Sequence, residues 1–335
     1  MRTKVLQALR QKGAEEYISG QELCEKLGVS RTAVWKAVKQ LKERGYEIEA
    51  VQNKGYRLIS VPDILSKTEL ESRLHTKWMG RSVYYFDEID STNAEAKRAA
   101  EETEGNQEHG AVFVADMQTL GRGRRGRSWN SPRGTGIFFT VLLKPDIHPV
   151  NAPMLTLVKA LAVSKAITDV TGLQAQIKWP NDIVINGRKT VGILTEMSAQ
   201  VDYVNHIVVG TGINVHQTEF PEEIAQTATS LDLELQREGK KKEISRAELL
   251  GVVLETFEQY YEIYLKTQDL SALMEEYNAL LVNCGRRVRV LDPLGEFEGQ
   301  ALGIDDRGEL LVEREQGVVK VSSGEVSVRG IYGYV

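Results

Sequence analysis

The sequence predicts an α+β protein built from three domains, and three observations support that division. Residues 1–60 carry 12 Lys and Arg against 7 Asp and Glu, a net charge of +5, whereas the remainder carries 30 against 40, a net −10. Through the middle of the chain, apolar residues recur alternately at strand-like and helix-like spacing. From residue 287 the pattern changes to short alternating strands separated by glycines, which is typical of a small antiparallel barrel of SH3-like size. We therefore expect domains at residues 1–63, 64–284 and 285–335.

Three helices and a hairpin are predicted in the basic N-terminal part. Thr3 is placed to cap the first helix, Ser19 a second over residues 20–27, and Ser30 a third that ends near Arg44. A short glycine turn between the second and third helices, followed by a basic hairpin, is the pattern of a winged helix-turn-helix. The positive charge favours DNA binding over the alternative, a three-helix module that contacts protein. Exposed polar and aromatic positions of the third helix and the wing are the candidate DNA contacts: Ser30, Arg31, Thr32, Trp35, Lys36, Lys39 and Lys54.

The composition is that of an ordinary globular protein, with 41% hydrophobic residues. No apolar run approaches the length expected of a membrane span, and the N-terminus lacks a signal-peptide core. The two cysteines, Cys24 and Cys284, are far apart and form no metal-binding pattern with the five histidines. We therefore expect a cytoplasmic protein without a disulfide framework.

An arginine- and glycine-rich segment, G-R-G-R-R-G-R at residues 121–127, lies between two strand-like segments and precedes Trp129. Guanidinium groups bind phosphate or carboxylate, glycines permit a mobile backbone, and an aromatic ring can stack on a base. The segment therefore predicts a loop that closes over a nucleotide, with a solvated basic loop as the alternative. Its literal G-x-G-x-x-G is not a dinucleotide fingerprint, because Pro132 and its neighbours exclude the helix that such a fingerprint requires.

The other elements of the middle part follow from periodicity and capping signals. They are a strand at 83–90, a helix opened by a Thr92–Glu95 capping box, strands at 111–115 and 137–143, a buried helix at 153–170, a strand ending at Lys178, a buried strand at 203–215, a long loop at 216–244 with a short helix inside, and helices at 245–266 and 270–281. Ser91, Thr92 and Asn93 are positioned either to cap a helix or to bind the polar head of a small ligand. Lys178 is either a surface lysine or, beside a nucleotide loop, a group that stabilises negative charge.

With these motifs the chain resembles the bacterial bifunctional biotin–protein ligases that also repress the biotin operon. The resemblance covers the whole length, and its signatures are the 121–127 segment, K-W-P-N-D at 178–182 and G-x-G-I-N-V at 210–215, in that order. It implies a central mixed-sheet α/β core of the biotin/lipoate ligase type, with ATP and biotin as substrates and Mg²⁺ as cofactor. Biotin would be activated to biotinyl-5′-adenylate and transferred to a lysine of a biotin carboxyl carrier protein. The adenylate-bound homodimer would bind operator DNA. From the sequence itself, the strand at 205–215 is the candidate for an edge that pairs with its twin.

The resemblance also implies roles for individual residues. The biotin head would be held by Ser91, Thr92, Asn93 and Gln118. The loop over biotin and phosphate would include Gly121, Arg122, Gly123 and Arg124. The nucleotide would contact Arg124, Arg127, Trp129, Lys178 and Asn214. Lys178, which would touch both the biotin carboxylate and the α-phosphate, and Arg124 are the candidate catalytic residues, and Asp182 is the candidate Mg²⁺ ligand. Two alternatives stay open: a repressor without catalysis, and a lipoate ligase-like acyltransferase, whose R-R-x-S-G-G-G signature is absent here.

Overall fold

The chain divides into two compact units, Met1–Leu74 and His75–Val335. The structure, a computed structural model, describes residues 1–13, 15–102, 109–292, 295–323, 326–330 and 334–335. This division differs from the predicted boundaries at two places. The N-terminal unit extends beyond residue 63, and residues 285–335 are not separated from the middle part of the chain.

The N-terminal unit contains the predicted helix-turn-helix and wing. Its elements are α1 (Arg2–Lys12), α2 (Gly20–Leu27), α3 (Arg31–Lys42), β1 (Glu47–Val51), β2 (Gly55–Ser60) and α4 (Lys67–Glu71). The hydroxyls of Ser19 and Ser30 accept hydrogen bonds from the first turns of α2 and α3, which confirms both predicted caps. The predicted Thr3 cap is wrong, because α1 begins at Arg2 and the Thr3 hydroxyl donates to Glu71 instead. Apolar side chains at helical spacing from α1 and α3 form the core of this unit.

Helix α4 belongs to the N-terminal unit because of a buried carboxylate. Glu69 is 1% exposed. It accepts hydrogen bonds from Tyr46 Oη at 2.6 Å and Arg73 Nε at 2.7 Å, and it forms an ion pair with Arg10. Burying a carboxylate is costly unless it is paired and hydrogen-bonded, so these partners fix α4 against the helices that precede it. Sequence periodicity gives no sign of such a contact, so the predicted boundary at residue 63 leaves α4 outside the N-terminal part.

The second unit is built on a seven-stranded sheet of order β3-β4-β5-β9-β8-β7-β6. Its strands are β3 (Val83–Phe86), β4 (Ala111–Ala115), β5 (Gly136–Leu143), β6 (Gln176–Lys178), β7 (Asp182–Ile185), β8 (Arg188–Ala199) and β9 (Val204–Asn214). Its helices are α5 (Thr92–Glu102), α6 (Met154–Thr171), α7 (Leu231–Arg237), α8 (Arg246–Thr267) and α9 (Met274–Leu280). The β3–β4 pair is parallel and the other pairs are antiparallel, so the sheet is mixed as expected.

The two faces of this sheet are covered by different helices. Thr140 of β5 donates a hydrogen bond to Asn93 of α5. The ring of the adjacent residue of β5, Phe139, lies 4.4 Å from the Lys159 ammonium of α6. Because successive side chains of a strand point to opposite faces, α5 covers one face and α6 covers the other. Strand β9 is central, flanked by β5 and β8, so the prediction that it forms a free edge is wrong.

Three further expectations need correction. Strand β3 ends at Phe86 instead of residue 90. The Thr92–Glu95 capping box does not form, because Thr92 is the first helical residue and its hydroxyl donates to Gln118. Among the described residues one segment, Pro149–Thr171, is long and apolar enough to cross a membrane, contrary to the expectation from the sequence. Of its apolar window 78% is buried inside the fold, as in a core helix.

The C-terminal strands form an antiparallel sheet of order β13-β12-β11-β10-β14. They are β10 (Arg287–Leu291), β11 (Phe297–Ile304), β12 (Leu310–Arg314), β13 (Gly317–Val321) and β14 (Ser327–Gly330). Their link to the sheet of the second unit is buried: Trp179 donates from its indole to the carbonyl of Gly308 and from its backbone to Asn283. These contacts explain why residues 285–335 form one compact unit with the middle part of the chain.

Candidate functional site

Glycines in two adjacent strands form the floor of a pocket on the α5 face. Gly210 and Gly212 of β9 point to the same face, two residues apart, beside Gly192 of β8. A Cβ atom at Gly210 would lie 2.0 Å from Asn93 Oδ1, and one at Gly212 would lie 2.4 Å from Trp129 Nε1. From the sequence, Gly210 and Gly212 indicate close approach of a ligand or a neighbouring backbone. The groups that approach them in the structure are instead side chains of the predicted site.

The predicted biotin-head residues converge at the start of α5. Gln118 Oε1 accepts from the backbone nitrogen of Thr92 at 2.9 Å and from its hydroxyl at 3.1 Å. Asn93 Oδ1 accepts from the Thr140 hydroxyl at 2.6 Å, and Asn93 Nδ2 donates to Glu196 at 2.8 Å. Ser91 is buried beside them. The sequence prediction missed Thr140 and Glu196, because only strand pairing brings them to this cluster. Ser91, Thr92, Asn93 and Gln118 line a pocket of about 50 Å³, and Thr140 and Glu196 hold Asn93 in place behind it.

The arginine-rich loop folds back on itself over this pocket. Gly123 donates from its backbone to the carbonyl of Arg127 at 2.7 Å, and Trp129 to that of Gly121 at 2.9 Å. Arg124 Nη1 donates to Asn181 at 3.0 Å, and Nη2 to the carbonyl of Ser323 at 2.5 Å. Arg124 thus ties the loop both to the K-W-P-N-D segment and to the C-terminal strands. The side chains of Arg122 and Arg127 are exposed, Arg122 at the smaller pocket and Arg127 at a larger cavity beside it.

Trp129 lies between the two cavities. Its indole covers Gly192 and Gly212, and its buried Nε1 has no hydrogen-bond partner in the part of the chain that the structure describes. The Lys189 ammonium lies 5.4 Å from the centroid of the ring. Molecules bound in the two cavities would meet at their shared wall. The residues that line both cavities are Gly123, Arg124, Trp129, Asn181 and Lys189.

The larger cavity has a volume of about 630 Å³, within the range of nucleotide-sized pockets. The predicted metal ligand Asp182 lines it, and so do all five predicted nucleotide contacts: Arg124, Arg127, Trp129, Lys178 and Asn214. Asn214 donates from Nδ2 to the carbonyl of Thr229 at 3.1 Å, which links the end of β9 to the 216–244 segment. That segment supplies cavity residues that the sequence did not identify: Gln217, Phe220, Glu223, Ile224, Thr227 and Ala228.

Lys178 and Asp182 are part of a buried charged cluster. Burial lowers the pKa of Lys178 from 10.5 to about 8, although Asp182 opposes the change. Burial would raise the pKa of Asp182, but the ammonium groups of Lys189 and Lys178 outweigh it, so this pKa lies below its ordinary value. Asp182 forms an ion pair with Lys189 at 2.6 Å and accepts a hydrogen bond from Tyr334. The sequence prediction missed Lys189 and Tyr334; Lys189 lies just beyond the K-W-P-N-D motif, whereas Tyr334 is 152 residues away from Asp182.

The Asp182 carboxylate does not fit a metal centre held by the protein. Both of its oxygens are already engaged by Lys189 and Tyr334. Among the described residues there is no group of three or more His, Cys, Asp or Glu side chains that could hold a metal ion. Mg²⁺ is usually held by one or two carboxylates together with substrate phosphates and waters, so an ion at Asp182 would have to displace Lys189 or Tyr334. The predicted ligand role stays without support.

The predicted DNA-contact residues all lie on the surface of the N-terminal unit. These exposed residues are Ser30, Arg31, Thr32, Trp35, Lys36, Lys39 and Lys54. Trp35 is 56% exposed, with the Lys39 ammonium 5.6 Å from its ring centroid. On the wing, Lys54 lies 5.7 Å from the ring of Tyr17. A basic surface on the second helix of a helix-turn-helix is suited to a DNA groove.

Comparisons with known families and structures agree with these features. Residues 2–57 match a helix-turn-helix domain, residues 85–214 the biotin/lipoate A/B protein ligase family, and residues 284–329 the biotin protein ligase C-terminal domain. A biotin protein ligase from Aquifex aeolicus, solved in complex with biotin and ATP, is similar with a TM-score of 0.63 and 32% identity, over 75% of this chain and 99% of that chain.

Relatives of known sequence match nearly the full length. The bifunctional ligase/repressor BirA of Bacillus subtilis is 44% identical over 332 residues, 98% of each chain. That of Escherichia coli is 30% identical over 319 residues, 94% of each chain. The chain therefore belongs to the family of bifunctional biotin–protein ligases that are also repressors.

Proposed function

We propose that this protein activates biotin with ATP and transfers it to a lysine of a biotin carboxyl carrier protein in the cytoplasm. The observation that carries the proposal is the pair of adjoining cavities. One is lined by the Ser91–Asn93 start of α5 and is suited to a small polar head. The other is nucleotide-sized and contains the Lys178 ammonium. Their shared wall would place a carboxylate next to a phosphate.

In the first step, a biotin carboxylate oxygen attacks the α-phosphorus of ATP. The bond from that phosphorus to the bridging oxygen breaks, and pyrophosphate leaves with the electron pair. Both reactants are anionic, so the enzyme contributes positioning and neutralisation of charge rather than a nucleophile. Lys178 would contact the carboxylate and the α-phosphate, and Arg124 and Arg127 would contact phosphate oxygens. Trp129 and Asn214 would hold the adenine side.

In the second step, the carrier lysine amine attacks the acyl carbon of biotinyl-5′-adenylate. An amide bond forms, the bond from the acyl carbon to the phosphate oxygen breaks, and AMP leaves while the amine loses a proton. The arginine-rich loop would retain the adenylate until the carrier arrives. Mg²⁺ would enter with ATP and neutralise its phosphates, and we assign no protein ligand to it.

We also propose that the adenylate-bound protein dimerises and represses biotin genes by binding operator DNA. One winged helix contacts one half-site, so a two-fold operator requires two copies. Strand β8 offers a pairing edge. Its pairing with β7 ends at Gly192. Beyond that point, positions 195–199 of β8 pair with β9 alone among the residues that the structure describes. An edge strand with free backbone groups can pair with its own copy.

The ligase proposal is tested by incubating the protein with biotin, ATP and an unmodified biotin carrier domain. Mass spectrometry should show an addition of roughly 226 Da, the mass of biotin less water, on one carrier lysine. Lipoate in place of biotin should give no addition. No biotin addition would favour a repressor without catalysis, and a lipoyl addition would favour a lipoate ligase.

A further inference from the structure

Strand pairing makes Lys178 and Asp182 neighbours, yet they do not form the direct ion pair that this placement favours. They are register partners across the β6–β7 hairpin, where opposite charges usually attract. Among the described residues, the ion pair of Asp182 is with Lys189, at 2.6 Å through Oδ1. Its other oxygen, Oδ2, accepts the hydroxyl of Tyr334.

The ring of Tyr334 occupies the space beside the lysine. The Lys178 ammonium lies 4.2 Å from its centroid. Burial and the nearby Asp182 carboxylate raise the pKa of Tyr334, so its hydroxyl stays protonated and donates. Tyr334 therefore contacts both members of the hairpin pair, one through its hydroxyl and the other through its ring face.

Tyr334 is seated by the residue that follows it. A Cβ atom at Gly330 would lie 2.0 Å from the carbonyl oxygen of Val335, and one at Gly187 would lie 3.3 Å from Val335 Cγ2. Val335 thus packs against the end of β14 and the β7–β8 turn. The position of the tyrosine is defined by backbone contacts as well as by its own side chain.

We propose that Tyr334 is a positioning residue for adenylation, because it holds Asp182 away from Lys178 and leaves the ammonium available to biotin carboxylate and α-phosphate. This inference rests on the proposed role of Lys178. A lysine paired to a carboxylate is a weaker stabiliser of new negative charge, because its charge is already neutralised. Lys189 engages one oxygen of Asp182 and Tyr334 the other, so the Lys178 ammonium is left unpaired with this carboxylate and lies in the cavity.

The Tyr334→Phe variant tests this idea, because it keeps the ring and removes only the hydroxyl. Asp182 Oδ2 is then free to pair with Lys178. In single-turnover pyrophosphate release, we expect the maximal rate to fall about tenfold, less than the loss of a whole charge-stabilising donor, with the KM for ATP nearly unchanged. Tyr203→Phe, the same change at an exposed tyrosine on the β8–β9 turn, is the matched control and should leave the rate unchanged.

The pH profile distinguishes positioning from a merely structural role. The charged groups around Lys178 are Asp182, Lys189, Arg329 and Arg127. In the unmodified protein kcat/KM, which reports on the free enzyme, should fall as the pH rises through about 8, where the Lys178 ammonium loses its proton. In Tyr334→Phe the new pairing with Asp182 favours the ammonium, so the fall should move to higher pH while the maximal rate is lower.

An Asp182→Asn background closes the test. Without the carboxylate there is nothing to capture Lys178, so adding Tyr334→Phe should change neither the rate nor the pH profile further. Two results would overturn the inference. One is a Tyr334→Phe variant with the same rate as the unmodified protein. The other is an equal loss of rate from Tyr334→Phe in the unmodified and Asp182→Asn backgrounds, with an unchanged pH profile. Lys178→Ala is measured beside them: an unaltered rate there contradicts the role of Lys178 itself, whereas a slow Lys178→Ala with an unaffected Tyr334→Phe contradicts only the inference.

Discussion

At the scale of single residues, Lys178 carries the strongest chemical prediction. It is 5% exposed in the nucleotide-sized cavity, and a donor of this kind at a developing charge is worth about 3–4 kcal/mol. Lys178→Ala should therefore slow adenylate formation by roughly two to three powers of ten, measured as pyrophosphate release in single turnover. Lys165→Ala, at an exposed lysine of α6, is the matched control and should have no effect. A loss below about threefold would make Lys178 an ordinary structural lysine.

Gly210 gives a second prediction at this scale. A Cβ atom there would overlap Asn93 Oδ1, so Gly210→Ala must displace either β9 or the amide. The hydrogen bonds of Asn93 to Thr140 and Glu196 would be disturbed, each worth about 1 kcal/mol. We expect biotin affinity, measured by calorimetry, to fall about tenfold or more. Gly20→Ala is the control, because the new Cβ meets only Tyr56, at 3.9 Å. If Gly210→Ala and Gly20→Ala bound biotin with equal affinity, Asn93 would not hold biotin.

Short motifs allowed most of these residues to be found from the sequence. The 121–127, 178–182 and 210–215 segments each mark residues that line the two cavities. Tyr334 and Thr140 were missed, because their roles depend on contacts between residues far apart in the chain. The ligand role predicted for Asp182 came from the resemblance alone. The resemblance gives no information on the contacts of Lys189 and Tyr334, which occupy both carboxylate oxygens.

At the scale of elements, the arginine-rich loop should act as a lid. Its fold depends on the bond from Trp129 to the carbonyl of Gly121, and a Cβ at Gly121 would lie 2.4 Å from the Trp129 oxygen. Gly121→Ser should therefore open the loop, as should Arg124→Ala, which removes the bonds to Asn181 and Ser323. We expect labelled biotinyl-adenylate to escape about tenfold faster, and free amines in solution to become biotinylated.

Limited proteolysis supplies the companion measurement for the unmodified loop. Biotin and ATP together should protect residues 121–127 from cleavage, because ligand contacts restrict a glycine-rich segment. Cleavage at the same rate with and without both ligands would mean that the loop does not close on them.

Element existence was predicted well from periodicity, whereas sheet order was not. Apolar alternation identifies β9 as a strand but does not reveal that β5 and β8 flank it. The predicted edge was therefore wrong: in the described part of the sheet, it is positions 195–199 of β8 that pair on one side only. Helix α4 shows the same limit, because its place in the N-terminal unit depends on the buried Glu69 cluster.

At the scale of the whole molecule, the two compact units should separate the two activities. A fragment of residues 75–335 retains both cavities, so it should biotinylate the carrier but lose operator binding. In the full chain, Lys36→Ala should weaken DNA binding about equally on all sequences and lower the salt dependence by about one released ion. Normal operator binding by the fragment would show that DNA is bound elsewhere.

The proposed dimerisation would connect the two activities, and thermodynamic linkage sets the relation between adenylate binding and dimerisation. If biotinyl-adenylate tightens the dimer, dimerisation must tighten adenylate binding by the same factor, typically about 5–150-fold or 1–3 kcal/mol. Unmodified carrier would consume the adenylate and keep the ligase monomeric, whereas depleted carrier would leave the adenylate-bound form to pair and repress. Sedimentation and operator binding should be measured at fixed salt without ligand, with biotin and with biotinyl-adenylate. Met197→Lys, a charge at the open β8 edge where Met197 is 43% exposed, should weaken the dimer and leave adenylation intact. Equal dimerisation in all three states would describe a ligase that binds DNA without sensing the supply of biotin.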